Sequence, residues 1–142
     1  MSLEPRNPEY RRKVQDSFTK QVMMQTAGAT LAAVSPGRCS ITAPILTSLT
    51  QQHGFGHAGL TFALGDSAAG YAALSLMTAE QEVLTTEMKI NLLAPARGDG
   101  LRAEGAVMRA GKRLSIVRAE VFAISGSEET LIAILQGSMM PV

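Results

Sequence analysis

Four apolar side chains, Tyr10, Val14, Phe18 and Val22, recur at every fourth position near the start of the chain. That spacing lines one face of a helix. Asn7, Pro8 and Glu9 precede it. They predict Asn7 as N-cap, Pro8 at the first helical position, and Glu9 in the turn where the helix dipole favours an anion. Gly28 is the natural stop, and Arg11, Arg12 and Lys13 fall on the solvated side. Two short strands follow, Thr30–Ser35 and residues 38–46, joined by the turn dipeptide Pro36-Gly37. A polar connection over residues 47–52 leads into a loop with two His and three Gly, and then into about twenty small and apolar residues ending at Met77. Beyond it the pattern is extended chain: residues 83–93, 101–109, 113–125 and 130–140 are rich in β-branched and apolar side chains. The stretches between them, 95–100, 110–112 and 126–128, are turn chemistry. Short connections predict antiparallel pairing of consecutive strands. The apolar helix has few polar faces to show to water. The economical packing is therefore α+β, one curved antiparallel sheet wrapped around that helix.

At 142 residues, 46% hydrophobic and 18% charged, the chain has the size of one domain and the composition of a globular one. Residues 1–28 read as an N-terminal helix belonging to the same domain as residues 29–142. A net charge of +1 shows no basic excess for nucleic acid, and 4% aromatics without Trp makes no stacking platform for bases. The single Cys39 excludes an internal disulfide and fits a reducing compartment. Its place in an alternating segment predicts a buried thiol rather than a nucleophile. One thiol and two His do not compose a metal site. The polar N-terminus shows no apolar leader, which makes the cytoplasm the expected compartment. As a helix, residues 59–77 would reach about 28 Å. Small and hydroxylated residues dominate them, however, and a central Asp costs roughly 2.5–3.5 kcal/mol on insertion. A buried helix of a soluble protein is the expectation, with no membrane span.

That central charge is Asp66, the one carboxylate in the apolar run. Keeping it ionised inside a core costs several kcal/mol unless something stabilises it. At helical spacing it shares a lane with Gly59, Ala63, Gly70 and Ala73, opposite the bulky Leu60, Leu64, Tyr71 and Leu74. Two readings stand on the residues alone: a buried Asp satisfied by Ser67 or a partner helix, and a functional carboxylate beside a slot for a ligand. The loop before the helix favours the second. A helix N-terminus offers free N–H groups and partial positive charge to a carbonyl oxygen becoming negative, and Gly54, Gly56 and Gly59 permit close approach. Within one helix, eight residues place that amide about 12 Å from Asp66, too far for one reacting carbon. A second subunit packed antiparallel along the small-residue lane would join one copy's Asp66 to the other's helix N-terminus. The pattern thus argues for a dimer with composite sites.

These motifs resemble the hotdog-fold acyl-CoA thioesterases, and among them the PaaI-like group. That group has a polar residue, a Gly, then His-Gly-Gly opening a helix, with Asp nine residues after the His. Here stand Gln51, Gly54, His57-Ala58-Gly59 and Asp66, with Gly70-Tyr71-Ala72 downstream. The segment from Thr85 to Ala96 is similar to the family's central strand, and the hairpin of residues 109–115 is also typical. The resemblance spans roughly residues 30–140. It implies a hotdog domain over residues 29–142, dimerised into a continuous sheet and often paired again as a dimer of dimers. It also implies metal-free hydrolysis of an acyl-CoA thioester, with coenzyme A present only as part of the substrate. By position, Asp66 would be the general base or nucleophile, Thr85 a hydroxyl orienting water, and Gln51 a contact to the reacting centre. The Ala58 N–H would be the oxyanion donor.

One departure stands out: Ala58 replaces the first Gly of the motif. Its N–H survives, while its methyl can narrow the slot or alter φ/ψ. His57 is expected to fix the loop more than to move protons, and His53 matches no role. His57, Gly59 and Phe55 would border the substrate, in an apolar groove with Phe62 and Met residues. Lys112 and Arg113 would meet CoA phosphates, although an exposed hairpin turn explains them equally. A non-catalytic acyl-CoA binding or sensing protein on the same fold is the alternative. A hotdog hydratase would need an Asp and His in a longer loop, which this chain does not show.

Overall fold

The computed structural model describes residues 3–142. Two helices, α1 (Tyr10–Lys20) and α2 (Val22–Thr26), precede strands β1 (Thr30–Ser35) and β2 (Arg38–Pro44). A single 3-10 turn, Thr47–Leu49, leads to the long helix α3 (Ala58–Leu74), and four strands complete the chain: β3 (Val83–Leu92), β4 (Gly100–Ala110), β5 (Ser115–Ser125) and β6 (Glu128–Pro141). All six strands form one antiparallel sheet in the order β1-β2-β4-β5-β6-β3. Alternation does the work in β4 and β5. Leu101, Ala103 and Val107, with Val117, Ala119, Val121 and Ala123, point inward and are buried. They close on Leu60, Leu64, Ala68 and Ala72 of α3, which is the expected sheet around an apolar helix. Val14, Phe18, Met24 and Ala27 from the N-terminal helices join the same core. Among the described residues no helix is long and apolar enough to cross a membrane.

The N-terminal helix differs from its prediction at both ends. Asn7 acts one turn early: its Oδ1 accepts from the Glu9 N–H at 2.9 Å and its carbonyl from the Tyr10 N–H at 3.1 Å, and the helix proper starts at Tyr10. At the other end Gln21 is extended (φ −78°, ψ 97°), which breaks the helix and turns Val22 to solvent at 68% exposure. Met24 takes the buried position that periodicity assigned to Val22. Consecutive pairing holds for β4 with β5 and β5 with β6, but β3 and β4 are not neighbours. β3 pairs with β6 at the sheet edge, because the 93–99 connection carries the chain past the ends of β6 and β5. The exposed Leu84 and Leu92 stand on that edge strand.

Cys39 is buried on β2, as its alternating segment predicts. Burial, aided by the charge of Glu104, pushes its thiol up to about 12. An unfolded thiol ionises near 9.0, so the two states bind protons equally well below that pH. Above it the unfolded chain releases a proton that the native state retains, and stability is lost as pH rises towards 12. Urea titrations should show wild type losing about 2 kcal/mol more than Cys39→Ala between pH 7 and 10.5. Equal losses would show that the thiol is not the group responsible.

Candidate active site

The loop before α3 is held by its own backbone. The Gln51 N–H donates to the Phe55 carbonyl at 2.8 Å, and the Gly54 N–H to the Gln51 carbonyl at 3.0 Å. Gly54 has φ 84°, a left-handed conformation that a side chain would strain. Gln51 Oε1 is turned into this loop, accepting from the His53 N–H at 2.5 Å and lying 3.4 Å from the Phe55 nitrogen. Gly56 bridges Thr50 and Ala96, and the His57 N–H donates to the Leu49 carbonyl at 2.9 Å. His57 then caps α3: its Nδ1 accepts from the Gly59 N–H at 2.7 Å. An accepting Nδ1 leaves the ring proton on Nε2, so this imidazole fixes the loop as a neutral ring. A Cβ on Gly59 would come within 2.9 Å of that Nδ1, so the cap itself requires glycine there.

Ala58 is the first residue of α3 and has no positive φ. Its methyl therefore forces no unusual backbone. Among the described residues its N–H donates to no protein group, as befits the open end of a helix.

Further along α3, Asp66 is half-buried rather than sealed in the core. Thr85, on β3, donates its hydroxyl to Asp66 Oδ1 at 2.6 Å and lies 3.2 Å from Met139 Sδ. Strand β3 supplies Thr85 at a register shift between Thr85 and Glu87, a local bulge that re-aims a side chain. Asp66 and Thr85 share a cavity of about 340 Å³ with Gln21, Ser67, Gly70 and Tyr71.

A separate cavity of about 460 Å³ lies at the helix N-terminus, lined by Gln51, Phe55, His57, Ala58 and residues 92–96. Thus the structure joins Asp66 to Thr85, and Ala58 to Gln51, Phe55 and His57, but one chain does not bring the two groups together. Within one chain Phe55 lies with the N-terminal group, apart from Asp66, and Arg97 stacks over its ring at 5.4 Å. Lys112 and Arg113 are exposed in the β4–β5 turn and line neither cavity.

The Asp66 cavity has polar walls within the single chain. Gln21 Oε1 accepts from Ser67 Oγ at 3.1 Å, and Gln21 Nε2 donates to Tyr71 Oη at 2.8 Å. Sequence reasoning passed over Gln21, whose role depends on a helix break and on partners far along the chain.

A six-stranded antiparallel sheet curved around one long helix, with a carboxylate on that helix and free amides at its start, is the hotdog architecture. Residues 53–130 match the thioesterase superfamily, more than half of the chain, and the chain belongs to that family. A crystal structure of a thioesterase family protein from Silicibacter pomeroyi is 42% identical, with a TM-score of 0.92. The match covers 94% of this chain and 98% of that one. The Escherichia coli PaaI protein of the phenylacetic acid degradation operon shares the fold, with a TM-score of 0.85 at 20% identity, over 99% of this chain and 96% of its own. A Saccharolobus solfataricus protein provisionally named an esterase is 33% identical over 84 residues. That match spans 59% of this chain and 59% of the length of that protein.

Proposed function

We propose that the protein hydrolyses an acyl-CoA thioester without a metal or bound cofactor, acting as a dimer or dimer of dimers with sites between subunits. The observation that carries this reading is the 2.6 Å hydrogen bond from Thr85 to Asp66 at the wall of a cavity. With its proton given to Asp66 Oδ1, Thr85 Oγ1 presents only acceptor lone pairs to a water molecule. Asp66 Oδ2 is free to take the second proton of that water. Such a water, held by two acceptors, has its oxygen directed at a thioester carbonyl carbon. The carbonyl oxygen becomes negative and needs donors in place beforehand, and the Ala58 N–H at the positive end of α3 supplies one. The tetrahedral centre then collapses: its C–S bond breaks, Asp66 passes the proton it took from water to the departing CoA sulfur, and the free acid is released with Asp66 again ionised.

Asp66 and Ala58 stand about 12 Å apart along one helix, so the two halves act together only across a subunit boundary. The unpaired edge of β3, with its exposed leucines, supports a sheet continued into a second copy.

Free-thiol release from a panel of aryl- and alkyl-CoA substrates tests the activity. Turnover supports it, whereas binding without turnover would favour the acyl-CoA binding protein instead. Thr85→Ala should lower kcat about tenfold or more while KM changes little, since a hydrogen bond to a charged group is lost at the reacting water. An unchanged kcat removes Thr85 from the site. Sedimentation should give a dimer or larger at working concentration, and a fully active monomer would exclude the shared site.

A further inference from the structure

Gln21 is the single extended residue between α1 and α2, and its side chain reaches across to α3. It accepts from Ser67, the neighbour of Asp66, and donates to the buried Tyr71. Ser17 Oγ lies 3.4 Å from the same phenol oxygen, longer than a normal hydroxyl hydrogen bond. All four residues of this network line the cavity that holds Asp66 and Thr85.

Counting donors and acceptors shows what the network leaves over. The carboxamide oxygen of Gln21 is occupied by Ser67, and one lone pair of Tyr71 Oη by Gln21. Among the described residues, the phenol proton has no protein acceptor at normal distance and the second N–H of Gln21 Nε2 has none. A hydrocarbon chain entering the cavity would strip water from these donors without replacing it, which costs free energy. An oxygen at the far end of the chain would be met by both.

From this geometry, and resting on the thioesterase reading, we infer that Gln21 and Tyr71 determine specificity, selecting acyl groups with a hydrogen-bond-accepting oxygen distal to the thioester. The pair acts on the remote end of the acyl group while Asp66 and Thr85 act on its carbonyl. The kink at Gln21 is what sets the carboxamide against α3, which an unbroken helix through Val22 would not do. Tyr71 is held independently by its edge-on contact with Phe18, with ring centroids 6.0 Å apart.

The test compares hexanoyl-CoA with 5-oxohexanoyl-CoA, chains of equal length that differ in one distal oxygen. Wild type should favour the oxo substrate in kcat/KM by about tenfold, the worth of one satisfied hydrogen bond. In Tyr71→Phe, which keeps the ring and its packing, that ratio should fall towards one, and Gln21→Leu should lower it too. The ratio is read whatever happens to absolute rates, so a general loss of stability does not imitate the effect. A wild-type ratio near one, or a ratio unchanged in Tyr71→Phe, overturns the inference. If wild type hydrolyses neither thioester, the catalytic reading fails on its own. The same ratio is then read from calorimetric binding of the S-hexyl and S-(5-oxohexyl) thioethers of CoA. Tighter oxo binding that disappears in Tyr71→Phe sustains the inference, and equal or absent binding overturns it.

Discussion

Asp66→Asn should reduce thioester turnover by about a hundredfold to ten-thousandfold, the range lost with a general base, while the protein still folds. The change is nearly isosteric. Thr85 would still donate to the amide oxygen at Oδ1, so the hydrogen bond joining α3 to β3 persists in weaker form. Because Asp66 is half-buried, no charge is stranded in the core by the wild-type residue and none is relieved by the variant. Stability should therefore move by less than about 1 kcal/mol. Free-thiol release and thermal melting of the same preparation separate the two effects. Wild-type turnover in Asp66→Asn would dismiss the carboxylate mechanism, and a collapsed fold would show that Asp66 is chiefly structural.

The largest effect on stability is expected at Gly105. It lies on the inner face of β4, where an added Cβ would fall onto the Ala68 carbonyl and the Ala69 nitrogen of α3. A flexible side chain could move aside, but helix backbone cannot without shifting the whole of α3 from the sheet. Gly105→Ala should cost about 3 kcal/mol or more, the upper range for overpacking. For a domain of this size the corresponding drop in Tm is on the order of 10 °C. Gly70 provides the comparison. Its added Cβ would meet Met139 Cε at 3.9 Å and Val83 Cγ1 at 4.0 Å, ordinary contact distances. Gly70→Ala should hold or raise Tm, since Ala is favoured over Gly in a helix by about 1 kcal/mol. Equal melting of the two variants would contradict the close seating of α3 on β4.

The difference between these two glycines illustrates what could be read from the chain alone. Gly70 follows two alanines and Gly105 lies between Glu104 and Ala106, and neither setting tells a glycine beneath helix backbone from one beside a methionine. In contrast, the lone Asp66 in an apolar helix and the loop of glycines before it are local signals. They placed a carboxylate and an N-terminal amide before any tertiary contact was known. That Thr85 serves the same site as Asp66 came from the family resemblance rather than from spacing, because the two residues lie on different elements, and only the structure shows the hydrogen bond between them. The Gln21 network had no signal of its own: the apolar stripe ran through Val22, and only the helix break revealed where the side chain goes.

Sequence by itself determined the element types, the burial of α3 and Cys39, the sheet-around-helix class and the separation of Asp66 from Ala58 along one helix. These follow from periodicity and rise per residue, which depend on near neighbours in the chain. Tertiary structure alone decided that β3 leaves β4 to pair with β6, that Asp66 stays half-open beside Thr85, and that Gln21, Ser67 and Tyr71 give its cavity polar walls. Each of those outcomes depends on which distant backbone or side chain fills the space opposite, and local pattern carries no record of that.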